Sequence, residues 1–176
     1  RGIPILRDYE PFKQADLLFL ESTYGDRDHR PFHETVEEFI SIVEQAVGTG
    51  GKILVPTFAV GRAQLLSTLL GSMFRSRRVK PFPLFLDSPM ATKVAEVYDH
   101  PESLFDPAAQ KVWREKPHPF RRPNLRFTAD VEQSRAINGH ERGAIIIAGS
   151  GMCNGGRIRH HLRQNLGRKQ AHVVFV

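Results

Sequence analysis

The chain has 176 residues, 40% hydrophobic and 25% charged, a balance that suits one globular domain with a real core. Its 25 Lys and Arg outweigh 19 Asp and Glu, and the net charge of +6 points either to a polyanionic partner or to a solvated basic surface. The single cysteine, Cys153, rules out a disulfide within the chain and a multi-cysteine zinc site, and it fits a reducing cytoplasm.

No apolar run approaches the ~20 residues of a membrane-spanning helix, and no leader-like segment opens the chain, so no membrane partner is expected. The sequence starts at Arg1 without a methionine and stops at Val176 inside the apolar run HVVFV, which reads as a piece of a longer protein.

Arg1–Lys13 is polar, contains Pro4 and Pro11, and reads as a connection arriving from elsewhere. Asp16–Glu21, DLLFLE, reads as a short buried strand that runs into the loop chemistry of Ser22–Phe32. In His33–Val47 the residues Val36, Phe39, Ile40, Val43 and Val47 form one helical stripe, stopped by Gly48, Gly50 and Gly51. Lys52–Thr57 is the next strand, with Pro56 near its end. A turn at Phe58–Gly61 leads into a helix from Arg62 to about Phe74, and the basic cluster Arg75–Lys80 follows it. That cluster either complements the helix dipole or touches nucleic acid.

Phe82–Asp87 is a strand, and Ser88 caps a helix that has Pro89 at its first position and runs to about Asp99. Pro101–Arg122 is less regular: Leu104, Val112 and Trp113 mark a short helix, and Pro117, Pro119 and Pro123 break the segment after it. Leu125–Thr128 is a strand, and Asp130–Gln133 resembles a capping box opening a helix that ends at Asn138-Gly139. The β-branched run Ala144–Ala148 breaks into the glycine-rich loop Gly149–Gly156 and then into a helix reaching Leu166. His172–Val176 is the last strand.

Six strand candidates alternate with helices, and several are apolar throughout, as strands buried on both faces are. The fold expected is a three-layer, Rossmann-like α/β arrangement: a mainly parallel sheet of about six strands with helices on both faces. Ligands in such sheets sit at the carboxyl ends of the strands. There the loops at Ser22–Gly25, Phe58–Gly61, Ser88–Pro89 and Gly149–Gly156 can share one rim. A strand that breaks into glycines before a helix exposes backbone N–H groups to an anion, so the last of these loops is a candidate phosphate site.

Four strings stand in order along the chain: ESTYGDR, PTFAVGRAQ, DSPMA and GSGMCNGGRIRHHL. Together they resemble the β-CASP region of metallo-β-lactamase-fold nucleases, the group of the bacterial and archaeal cleavage and polyadenylation specificity factor nucleases and, more distantly, RNase J. The resemblance covers about residues 14–176, so that residues 1–13 become the connection from a missing metallo-β-lactamase domain. It implies an RNA-cleaving hydrolase that holds two zinc ions in that missing domain. This chain contains no His-x-His, and the adjacent His160-His161 read as surface or packing residues. The fragment alone is therefore expected to bind no zinc and to be inactive. The implied partners are single-stranded RNA and the lactamase-like domain of the same chain; a homodimer is left open, as is the choice of endo- or 5′-exonuclease.

Glu21 matches the acidic residue of the family's first motif. The resemblance implies that it pairs near the metals with a histidine from the missing region; the alternative is a carboxylate bonded to its own loop backbone. Thr57, Phe58, Gly61 and Arg62 read as an RNA-contacting loop, where Arg62 can reach a phosphate and Phe58 either stacks a base or is buried. Ser88 either joins that rim or only caps its helix. Ser150, Gly151, Asn154, Gly155, Gly156 and Arg157 read as the phosphate grip, and Cys153 as an incidental loop residue. Two other functions stay open. Gly149-x-Gly151-x-x-x-Gly155 is one residue longer than a dinucleotide fingerprint, and a β-CASP scaffold without catalysis would carry the same strings.

Overall fold

A computed structural model describes residues 4–100, 104–115, 118–141 and 143–176. Pro117 and the first three residues of the Arg1–Lys13 segment lie outside the described residues. The elements in order are α1 (Phe32–Thr49), β1 (Lys52–Pro56), α2 (Arg62–Arg75), β2 (Leu84–Asp87), α3 (Pro89–Tyr98), α4 (Pro107–Arg114), β3 (Leu125–Phe127), α5 (Val131–Ala136), a single 3₁₀ turn (Ile137–Gly139), β4 (Ala144–Ala148), α6 (Ile158–Asn165) and β5 (Ala171–Val173).

The five strands form one sheet in the order β3-β2-β4-β1-β5, parallel throughout. The centre is β4, the run AIIIA, with every residue fully buried. Burying an isoleucine side chain is worth about 1.5–3 kcal/mol, so this strand anchors the fold. Alternation along the strands sorts the core into two layers. Ile53, Val55, Leu84, Leu86, Ile145 and Ile147 share one core with the buried faces of α1 to α4. Leu54, Phe85, Ala144, Ile146 and Ala148 face the other way, toward Ile137 and Ile158, with Leu162 packed alongside. The expected three-layer α/β architecture is present, with four helices on one face and α5 and α6 on the other.

Among the described residues one expected strand is missing, so the sheet has five strands rather than about six. Asp16–Glu21 forms no strand, and Leu17, Leu18, Phe19 and Leu20 are 75%, 66%, 88% and 79% exposed. Its apolar pattern is that of a buried strand, but a strand needs a neighbour for its backbone groups, and this segment pairs with neither edge strand of the sheet, β3 or β5. Only the start of the amino-terminal segment is tied down. Ile5 is buried, Leu6 bridges Phe105, and Arg7 N–H donates to Leu104 O at 2.9 Å.

Other boundaries move by a residue or two. β2 starts after Pro83, which has no N–H to give a neighbour, and β5 stops at Val173. Asp130 caps α5 by accepting from Gln133 N–H at 2.8 Å, and the Gln133 side chain accepts from Ala129 N–H at 2.8 Å, close to the expected reciprocal box. Leu104 lies outside α4 and is 62% exposed, whereas Trp113 is buried. Among the described residues, no helix is long and apolar enough to cross a membrane.

Candidate functional site

Because all strands run the same way, their carboxyl ends share one rim. The register pairs Pro56 with Ala148 and Asp87 with Ala148, so the loops after β1, β2 and β4 start side by side. Thr57 N–H continues the pairing by donating to Ala148 O at 3.0 Å. Beyond it the chain turns out to solvent: Phe58 is 60% and Val60 62% exposed. Gly61 adopts φ +79° just before α2, and Arg62 is exposed, its side chain making no hydrogen bond or ion pair among the described residues.

The glycine-rich loop packs against this turn. A Cβ on Gly151 would stand 3.1 Å from the Phe58 ring, and one on Gly149 would stand 3.6 Å from Thr57 O. Inside the loop, Ser150 Oγ donates to Asn154 Oδ1 at 2.8 Å and accepts from Gly155 N–H at 3.3 Å. Gly156 has φ +69°, and a Cβ there would collide with Gly149 O, so only glycine closes the loop. Ile158 N–H, the first donor of α6, already donates to Gly149 O at 3.0 Å. The helix start is thus partly satisfied by its own loop.

Beneath the rim lies a cluster that the sequence did not announce. Asp87 ends β2 with no exposed surface. By strand alternation it faces the same side as Phe85, toward α5 and α6. Its Oδ1 accepts from Arg157 Nη1 at 2.7 Å and from the Thr128 hydroxyl. Its Oδ2 accepts from Ser134 Oγ at 2.6 Å and meets His161 Nε2 at 2.5 Å. Burial opposes the charge, but the hydrogen bonds from His161, Ser134, Thr128 and Arg157 outweigh it and hold the carboxyl well below the ordinary range. An ionised carboxylate only accepts, so the His161 nitrogen facing it carries the proton.

The structure places several residues named from sequence inside or beside this cluster. Arg157 does not project into solvent as a free phosphate ligand. Its side chain is 18% exposed; Nη1 binds Asp87 and Thr128, and Nη2 donates to Ala129 O at 3.3 Å. His161 packs in the core at 1% exposure and has a polar task there, while His160 is exposed. Ser88 is the cap of α3, accepting from Ala91 N–H at 3.2 Å. The signal for Asp87 was present as a lone carboxylate closing an apolar strand. Its partners stand up to 74 residues away, so no local pattern reveals them.

Glu21 sits outside this assembly, on the exposed segment rather than at a strand end. Its Oε1 accepts from Thr23 N–H at 2.6 Å, and the Thr23 hydrogen bonds hold its carboxyl below the ordinary value. This contact is the backbone bond that one of the two readings of Glu21 describes, and it leaves the exposed carboxylate its other oxygen. The basic cluster after α2 is partly engaged, with Arg75 paired to Glu115 and Arg78 to Glu37. Among the described residues, no group of three or more His, Cys, Asp or Glu is placed to hold a metal ion.

Glycine loops on the carboxyl rim of a parallel sheet define an α/β domain with an open ligand edge. The Beta-Casp domain family matches residues 63–176, across α2 and the whole glycine-rich loop. The chain belongs to the β-CASP family, and the loop is a β-CASP element rather than a dinucleotide fingerprint. It is 42% identical to Ribonuclease TTHA0252 of Thermus thermophilus, over 92% of this chain and 37% of that protein. It is 31% identical to the transcription termination factor FttA of Thermococcus kodakarensis, over 97% of this chain and 27% of that one. It is 28% identical to an RNase J-like protein of Methanocaldococcus jannaschii, over 85% and 34%. The chain therefore spans roughly a quarter to a third of the length of these relatives.

Proposed function

We propose that the whole protein hydrolyses RNA phosphodiester bonds and that this domain forms one wall of the substrate cleft. One observation carries the reading. The turn Thr57–Gly61 and the loop Gly149–Gly156 meet on the carboxyl rim, with Phe58 and Arg62 exposed beside a loop that lacks side chains at Gly151, Gly155 and Gly156. A phosphate backbone can come close to such a loop, Arg62 can pair with it, and Phe58 offers a face to a base. Relatives named as a ribonuclease and as RNase J-like support the same chemistry. Within this reading Arg157 acts indirectly, by holding the loop's end to Asp87.

Zinc enters as a property of the whole protein. The described residues offer no ligand set, so none of this chain's chemistry is routed through the metal, which would supply an activated water from elsewhere. Glu21 is exposed enough to meet a histidine brought by the rest of the protein and to hold that ring in its charged form. Glu21→Gln in the complete enzyme lowers turnover with little loss of zinc; unchanged turnover removes Glu21 from the reaction.

The direct test is binding of a short single-stranded RNA to the complete protein across a salt series. Affinity that falls steeply with salt supports phosphate contacts, and salt-independent binding contradicts them.

A further inference from the structure

Two helical stripes face each other on the sparsely covered side of the sheet. Val131, Ser134, Arg135 and Asn138 follow the spacing i, i+3, i+4, i+7 along α5 and the 3₁₀ turn. Arg157, His160, His161 and Gln164 follow the same spacing into α6. Between them lies a cavity of about 240 Å³. Stripes that meet over a sheet are ordinarily apolar. Here only Val131 is apolar, and no carboxylate lines the cavity.

Its polar groups are only half accounted for. Arg157 and His161 answer the charge of Asp87. Arg135, His160 and Gln164 are exposed, and their side chains make no hydrogen bond or ion pair among the described residues. His161 Nδ1 is buried without a partner although the residue is only 1% exposed, and Asn138 Oδ1 is buried without one too. Buried polar atoms ordinarily find partners, and as both are acceptors these two call for an occupant that brings a donor, such as the hydroxyls of a sugar.

We propose that this groove binds a phosphate group, either the phosphate of a free mononucleotide or a phosphodiester of bound RNA. Arg135 supplies a guanidinium fork, and the Gln164 amide and the His160 ring supply further donors. With its Nε2–H directed at Asp87, His161 Nδ1 is an acceptor and takes a hydrogen bond from a sugar hydroxyl beside the phosphate. The volume is below the ~300 Å³ at which pockets for drug-sized ligands begin, which suits a phosphate with its sugar rather than a dinucleotide. The RNA source rests on the function proposed above; the phosphate site itself does not.

The test uses the complete protein, titrated separately with inorganic phosphate, with a 5′-mononucleotide, and with single-stranded RNA lacking a terminal phosphate. Variants Arg135→Glu and Gln164→Glu change exposed groove walls, and Arg62→Ala serves as the control on the rim. Saturable millimolar phosphate binding is expected. Arg135→Glu weakens it at least about tenfold, the factor one charge-assisted hydrogen bond supplies, with an unchanged melting temperature. Arg62→Ala leaves it intact. If Arg135→Glu weakens RNA as well, the backbone is a source; if only the mononucleotide is weakened, the free nucleotide is. Phosphate binding that survives both groove variants, or no saturable phosphate binding, overturns the site even if RNA still binds the rim. Loss of RNA binding alone, with phosphate still bound through Arg135, overturns the proposed function and leaves the groove standing.

Discussion

The rim and the cluster beneath it share the end of β4 and the start of α6, yet they are built on opposite terms. At the rim, Phe58 is 60% exposed beside the glycine loop, and the Arg62 side chain stands in solvent with no hydrogen bond or ion pair among the described residues. At the end of β2, level with Ala148, Asp87 has no exposed surface and four partners. A buried charge persists only when hydrogen bonds and an opposite charge surround it, whereas a surface that must take a ligand needs donors left open. The glycine loop belongs to both regions, since Gly149–Gly156 lies against Phe58 and ends on Arg157. The rigid cluster therefore sets the position of the open rim.

Removing the cluster's centre is the sharpest way to break that relation. Asp87→Asn strands the Arg157 charge and costs about 3–5 kcal/mol in chemical denaturation. The same residue gives an acid signature. Its folded pKa is depressed, so its stabilisation is complete above the unfolded value near about 4 and is lost as pH falls below it. Denaturation midpoints of the parent protein should therefore drop between about pH 4 and pH 2 more steeply than those of Asp87→Asn.

Gly156→Ala comes next. Its Cβ has no room beside Gly149 O, and φ is +69°, so stability falls by about 2 kcal/mol and RNA affinity falls with it. Phe58→Ala separates the regions from the other side: stability changes by no more than about 0.5 kcal/mol, while RNA binding weakens by about 1–2 kcal/mol. Arg62→Ala has the smallest effect, lowering the salt-dependence slope of RNA binding by about 1 with the melting temperature unchanged. A melting temperature lowered as much as in Gly156→Ala would show that the rim is structural rather than open.

Two apolar runs show how far sequence carries. AIIIA and DLLFLE both read as buried strands. The first lies at the centre of the sheet with strands on both sides, and every residue is buried. The second has no neighbouring strand among the described residues and is exposed. Apolar pattern states what a segment needs, and the neighbours decide whether the need is met within these residues.

The sequence by itself determined the alternation of helices and strands that sets the three-layer class, the capping of α3 and α5, and the glycine-rich break between β4 and α6. Each of these depends on residues within a turn or a strand of one another, where spacing is legible. Only the tertiary structure decided that Arg157 and His161 turn inward to Asp87 and that two polar stripes face each other across a groove. Those outcomes depend on strand order and on contacts up to 74 residues apart, and hydrogen bonds of that span leave no local pattern.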